Sequence, residues 1–391
     1  MKKLNVLLLI ILLFISSGIS AQQGKAWTLE ACINHALEQN IQVRKSDLNN
    51  QSLDLYLDQA KASRLPNLSA SASQNFSWAR PNNPLSEDNS LKGSTNTSYS
   101  LNSGVTVFNG GRLKTQVKQA ELDVQNGQLS LEATRESISL NILNAFLQVL
   151  YAEEQVKNAE KQIESTTGQL TLAKERLDLG AISQADYAQV KSQLANEKLT
   201  LANATSQLAI SKVNLMQLME LPVTENFEIE RPNLEATINQ NRAPDVQSVF
   251  DTALAIKPQI KSAANNKESA LLDEKAAKAG LLPSLSANAS VSTRTSYSYN
   301  QWSKTDGYFD QLDQTLSPGG GLSLSIPIYQ RKQAKTSVEV AKIGYQNAEL
   351  SELDTRNQLR KNIEQACQDV VSAQIEYAAN LENYQATKES S

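Results

Sequence analysis

The sequence predicts a fold that is mainly α with transmembrane β: long antiparallel helical hairpins, and two pairs of strands that enter a membrane. Three observations carry this. The stretch LPNLSASASQ at 65–74 alternates apolar and polar residues and recurs as LPSLSANASV at 282–291. A hydrophobic seam stepping by three and four runs from Leu113 to Leu177. The early and late halves of the chain align, at an offset of 217 that later becomes 221. Alternation with a period of two is the mark of a strand with one apolar and one wet face, and the three–four step is that of a helix packed on others.

The chain begins with a targeting signal. Lys2 and Lys3 precede an unbroken apolar run from Val6 to Ile15; Ser16, Ser17, Gly18 and Ser20 then lead to Ala21. This predicts a cleaved signal peptide over 1–21, because the run falls short of the ~20 apolar residues of a spanning helix. No cysteine follows the cleavage point, so no lipid anchor is expected there. The 391 residues carry a net charge of −4, which gives no electrostatic case for nucleic acid. Glycine and proline are scarce at 15 and 10, which suits long helices better than a compact enzyme. Cys32 and Cys367 read as helix residues, with a disulfide in an oxidising compartment as the alternative. The single histidine, His35, has no metal-ligand spacing around it. No nucleophile–base set or phosphate loop is present. The expectation is no enzyme, no catalytic residue, no cofactor and no metal. No later apolar run is long enough to span a membrane as a helix, so any crossing is made by strands.

At an offset of 217, Ala36-Leu37 meets Ala253-Leu254, Lys61-Ala62 meets Lys278-Ala279, and Leu65-Pro66 meets Leu282-Pro283. Farther on the offset becomes 221: Lys114-Thr115, Val117 and Ala120 meet Lys335-Thr336, Val338 and Ala341. The extra residues fall between strands, where a loop absorbs them. Two copies make a duplication rather than a solenoid. Each copy reads helix, strand, strand, long helix. The predicted organisation is a first repeat at 22–230, a linker at 231–246 and a second repeat at 247–391.

The first helix of each repeat ends before Pro66 or Pro283, since proline disfavours α geometry in the residue preceding it. The strands follow at about 68–78, 97–108, 284–299 and 321–329. On the third, Leu285 and Val291 share one face; Ser286, Asn288, Ser290 and Arg294 share the other. On the fourth, Leu322, Leu324 and Ile326 oppose Ser323 and Ser325. The apolar set is expected to face lipid and the polar set a wet lumen, as in a transmembrane barrel. A soluble sheet with one solvated face explains the alternation equally well. The connections Arg80–Asn96 and Gln301–Gly320 read as long polar loops. Four strands are too few to close a barrel around a pore, so several copies must contribute.

The seam of the long helix, about 111–178, runs Leu113, Val117, Ala120, Val124, Gly127, Leu131, Thr134, Ile138, then after one extra four-step from Ile142 to Leu177. Large and small residues alternate, which lets neighbouring helices approach closely. Leu143, Phe146, Leu147 and Leu150 lie off this seam and predict a neighbour on a second side; a coiled-coil rod is the plainer reading. Gly180 suits a left-handed cap at the helix end, and Ser183 with Asp186 has capping-box spacing. A returning helix over about 184–220 completes a hairpin with its tip at 180–186.

These pieces together resemble the TolC-like outer-membrane efflux proteins. WTLEACINHALEQNIQV (27–43) is similar to that family's opening helix. RLPNLSAS (64–71) and LLPSLSAN (281–288) are similar to its helix-to-strand crossings, and VFNGGR (107–112) and PIYQRK (327–332) to its strand-to-helix re-entries. RLDLGAISQADYAQVKSQL (176–194) is similar to its hairpin tip. The resemblance implies a homotrimer with a twelve-stranded outer-membrane barrel continued as a periplasmic α-barrel. It implies an exit duct for a tripartite efflux or type I secretion system, docked through a periplasmic adaptor on an inner-membrane transporter. It makes Gly180, Ala181, Ile182, Ser183 and Asp186 the adaptor-docking tip. The second tip is expected at about 401, past Ser391, so the second repeat reads as truncated at its C-terminus and no gate residue is assigned. A periplasmic adaptor or a structural rod is the alternative. An adaptor calls for one hairpin flanked by Gly-rich β modules, and a rod has no use for serine-faced strands.

Overall fold

The opening helices and the start of each long helix recur at the offsets read from the sequence. The computed structural model describes residues 26–80, 91–223, 227–232, 245–298 and 306–389. The expected signal segment lies outside the described residues, as does most of the linker. Helices α1 (Leu29–Gln39) and α2 (Ile41–Ala62) are followed by β1 (Asn67–Ala79), β2 (Lys92–Phe108), α3 (Arg112–Asp178) and α4 (Gln184–Leu218). The second copy gives α5 (Val246–Ile256), α6 (Pro258–Ala279), β3 (Ser284–Ser298), a short α7 (Tyr308–Gln314), β4 (Ser317–Ser325) and α8 (Gln333–Glu389). Both bounds of α5 and α6 lie at the 217 offset from α1 and α2, and α8 starts at the 221 offset from α3.

Each opening helix is broken once, where one continuous helix was expected. Asn40 is extended, with φ −61° and ψ 130°. Its Oδ1 accepts from the Gln42 N–H at 2.8 Å and its Nδ2 donates to the Leu218 carbonyl at 3.2 Å. Lys257 holds the equivalent place at ψ 125°, because Pro258 follows it. Different chemistry enforces the same break. The N-caps also correspond. Thr28 accepts from the Ala31 N–H, and Asp245 from the Ser248 N–H, each at 3.1 Å.

The chain divides into two compact units that cut across the repeats. The first comprises 1–47 and 131–242. Its core gathers Cys32, Ala36 and Val43 with Ile138, Ile142, Phe146 and Val149 of α3 and Leu215, Met216 and Met219 from the end of α4. Phe146, an off-seam residue, is 1% exposed, and fully burying a side chain of this size contributes about 1.5–3 kcal/mol. Trp27 pairs with Ile229 in an isolated parallel bridge, stacks on Phe227 and meets His35 edge-on. Here the second unit, 48–130 and 243–391, has a matching core of Ala253, Ile260 and Leu359. These are the offset counterparts of Ala36, Val43 and Ile138. Within that unit Gly127 lets α3 close on α2: a Cβ there would sit 2.4 Å from Asn50 Oδ1 and 2.5 Å from Leu53 Cδ1.

Every residue of the α3 seam is buried or half-buried, from Leu113 to Leu177. Among the described residues no helix is long and apolar enough to cross a membrane. All four strands lie in the second unit and form one antiparallel sheet in the order β1-β2-β3-β4. The join between the repeats is therefore the β2–β3 pair. A bulge at Val107 offsets the register between Thr106 and Phe108.

β4 departs from the expected 321–329. It begins at Ser317 and ends at Ser325, opposite Ser292 and Ser284. Beyond Ser325 no strand remains to pair with, because β3 starts at Ser284. Ile326, assigned to the lipid-facing strand from sequence, lies just outside it. Pro318 is tolerated because β4 is an edge strand. The loop expected at 301–320 holds α7 and the first residues of β4.

Candidate functional site

The register sorts the sheet into two faces. Ala70, Leu101, Val291 and Pro318 form one row across it. Leu285 sits opposite Leu324, and Ala287 lies between Val105 and Leu322. Val105, Leu285 and Ala287 are half-buried and the others exposed; Leu322 keeps 73% and Leu324 61% of its surface. From Leu285 to Tyr297 the strand runs roughly 40 Å at about 3.3 Å per residue, or roughly 28 Å of height at a 45° tilt. An outer-membrane barrel carries an apolar band about 25 Å tall flanked by aromatics. Phe76, Trp78, Tyr99 and Tyr297 supply aromatics toward the loop end, and Phe108 toward the other.

The opposite face is built of serine and asparagine. Ser286, Asn288, Ser290 and Arg294 lie on it, as do Ser323 and Ser325, which pair with Ser286 and Ser284. Hydroxyls bridge β1 and β2 along this face: Ser71 to Ser100 and Ser73 to Ser98 at 2.7 Å, and Ser77 to Ser94 at 2.8 Å. Each hydroxyl both donates and accepts, so the face is wet and nearly neutral.

The sheet has two edges. β1 presents thirteen residues with no charge and no proline, an edge that calls for a partner. β3 extends past β4, and there α7 stands in for a strand. The Arg294 N–H donates to Thr315 Oγ1 at 2.9 Å, and the Thr315 hydroxyl donates to the Arg294 carbonyl at 2.7 Å. The Ser296 N–H donates to Gln311 Oε1 at 2.8 Å. The Tyr308 hydroxyl meets that of Tyr99 at 2.7 Å, and the Thr293 hydroxyl donates to the Leu312 carbonyl at 2.6 Å. This edge cover had no periodic signal in the sequence, since seven residues make less than two heptad steps.

The hairpin tip belongs to the first unit. Gly180 sits at φ +73°. The Ala181 N–H donates to the Arg176 carbonyl at 2.8 Å and the Gly180 N–H to that of Leu177 at 2.9 Å. That double closure is a Schellman motif, and it needs the left-handed residue glycine tolerates. Ser183 then caps α4 in a reciprocal box: its hydroxyl oxygen accepts from the Asp186 N–H at 3.2 Å, and Asp186 Oδ2 accepts from the Ser183 N–H at 3.1 Å. Hydrogen bonds from the Ser183 hydroxyl and then its N–H hold the Asp186 carboxyl below its ordinary pKa. Gly180, Ser183 and Asp186 thus have a folding role. Ala181 is exposed, but Ile182, read from sequence as an exposed apolar contact, is half-buried. Leu179, 84% exposed, is the apolar side chain the tip presents. Its signal was its place past Leu177, the last seam residue.

A two-faced sheet continued by paired long helices defines a class, that of outer-membrane channels with a helical domain. The model of the outer membrane efflux protein family matches residues 32–220. Over that stretch, just under half of its length, the chain is similar to the outer membrane efflux proteins. In fold it is similar to CusC (18% identity, TM-score 0.72, covering 93% of this chain and 83% of that one). It is also similar to the CmeC outer membrane channel of Campylobacter jejuni (18%, 0.72, 92% and 76%). The outer membrane protein VceC of Vibrio cholerae aligns comparably (18%, 0.68, 92% and 82%). No curated protein matches the chain.

Proposed function

We propose that this chain is the protomer of an outer-membrane exit duct that passively conducts substrates from a periplasmic and inner-membrane pump to the exterior. The pump is a tripartite efflux or type I secretion system. The observation that carries this is the sheet: one face of serine and asparagine, the other of exposed leucine, valine and alanine over a height that matches a bilayer. Four strands leave the β1 and β4 edges unpaired, and three protomers close them into twelve strands with a wet lumen. The apolar face meets outer-membrane lipid. The long helices continue the duct as a periplasmic α-barrel, and the seam's small residues let them stand close. The tip, with Leu179 and Ala181 foremost, docks on a periplasmic adaptor.

The test is membrane fractionation followed by reconstitution. The protein is expected in the outer-membrane fraction, soluble only in detergent, migrating as a trimer and conducting ions across a planar bilayer. Deletion of its gene is expected to sensitise cells to exported compounds. Recovery in the soluble periplasmic fraction without detergent would sink the reading.

A further inference from the structure

We propose that Arg294 sets the ionic preference of the barrel lumen, favouring anionic solutes. The inference rests on the trimeric-duct reading above and names a property of that duct. The four strands contain no Asp or Glu. Their charged residues are Lys92, at the loop end of β2 opposite Ala79, and Arg294, well inside β3. Arg294 lies on the serine face, in a row with Ser98 and Ser73, whose hydroxyls bond each other at 2.7 Å. Its side chain is exposed and makes no ion pair among the described residues.

Among the described residues, the acidic element bonded to the sheet is α7, with Asp306, Asp310 and Asp313 in and before it. Its Tyr308 and Leu312 contact Tyr99 and Thr293, which point to the apolar face, and none of these carboxylates pairs with the guanidinium among the described residues. Around Arg294 the wall is serine and asparagine, neutral groups that hydrate ions of either sign. In a closed trimer three guanidinium groups stand at one height, and the strands of the wall supply no carboxylate against them. A ring of arginines favours anions in this way. Its reach is the Debye length, about 10 Å at 0.1 M salt and about 3 Å at 1 M. Anionic and acidic amphiphilic cargo is the class such a ring would admit most readily.

The experiment measures reversal potentials of the purified trimer in planar bilayers under a KCl gradient. Arg294→Gln is expected to lower the chloride-to-potassium permeability ratio severalfold, Arg294→Glu to lower it further, and Arg294→Lys to keep the wild-type value. The differences are expected to shrink as salt is raised toward 1 M. Should the arginine variants fail to assemble, Ser98→Cys leaves Arg294 in place, and its reaction with an anionic thiosulfonate is expected to lower the ratio by cancelling charge in the same row. Conducting channels whose reversal potential is unmoved by Arg294→Glu, or by the modified Ser98→Cys, would overturn the inference and leave the duct standing. A wild-type protein that conducts nothing would overturn both.

Discussion

Lys267 of α6 places its ammonium 2.5 Å from the buried carboxylate of Glu352 on α8, and Arg356 approaches the other oxygen at 2.7 Å. At the repeat offsets the first copy has Asn50 and Leu131 in place of Lys267 and Glu352. One copy of the duplication therefore holds an ion pair where the other holds neutral side chains. The hydrogen bond from Lys267, opposed by burial, lowers the Glu352 carboxyl below its ordinary 4.5; the same bond raises Lys267 above 10.5.

The pair's contribution to stability is present above pH 4.5 and is lost as pH falls through the lowered value for Glu352. For Lys267 it is present below 10.5 and lost as pH rises through the raised value. Lys267→Met leaves the carboxylate under-paired and is expected to lower the melting temperature near neutrality, with the deficit closing toward acid as Glu352 takes up its proton. Thermal melts of both proteins from pH 3 to 8 check this. A deficit that does not change with pH would deny the pair its role.

Gly110 and Gly111, at φ +68° and +85°, turn the chain from β2 into α3. Their counterparts at the 221 offset are Arg331 and Lys332, at φ +48° and +65°. The duplicated turn kept its left-handed backbone while the side chains changed. A non-glycine residue there costs about 1–2 kcal/mol, so Lys332→Gly is expected to stabilise by about 1 kcal/mol. Gly110→Ala is expected to destabilise, because its Cβ would also lie 2.9 Å from the Ala279 carbonyl oxygen. Denaturant midpoints for the two variants should move in opposite directions.

Leu324 and Ser325 are adjacent in β4 and point to opposite faces. Leu324→Arg is expected to cost about 2–4 kcal/mol of assembly if it lies near the bilayer midplane, and Ser325→Arg far less. Trimer yield in outer-membrane preparations reads the difference, and equal losses would remove the lipid-facing assignment.

At the tip, Leu179→Asp is expected to abolish export with trimer abundance unchanged, while Ile182→Asp has the weaker effect because that side chain is half-buried. A cysteine at 179 should crosslink to an adaptor. Loss of the trimer itself in Leu179→Asp would make the residue structural.

Cys32 is wholly buried, and desolvation pushes its thiol up to about 11. Cys367 is half-exposed, and both thiols are free. A maleimide is expected to label Cys367 in the native protein and Cys32 only after unfolding. Native labelling of Cys32 would contradict the core that holds it.

The sequence by itself determined the features that are periodic or local. The offsets of 217 and 221, the α3 seam, the two faces of each strand and the caps at Ser183 and Gly180 are local patterns, dictated by backbone periodicity and by the few residues a turn accepts. What tertiary structure decided are matters of partnership. β4 stops at Ser325 because β3 offers nothing further to pair with, so Ile326 falls outside the strand. α7 exists where β3 outruns β4 and its N–H groups still need acceptors. Asn40 breaks its helix by bonding to Leu218, far along the chain. Ile182 turns partly inward while Leu179 stays out, a choice set by how the turn seats its neighbours. Glu352 is charged and buried only because Lys267 and Arg356 meet it. Periodicity is a property of one segment and can be read in the letters; a bond needs its second atom, and the fold alone supplies that.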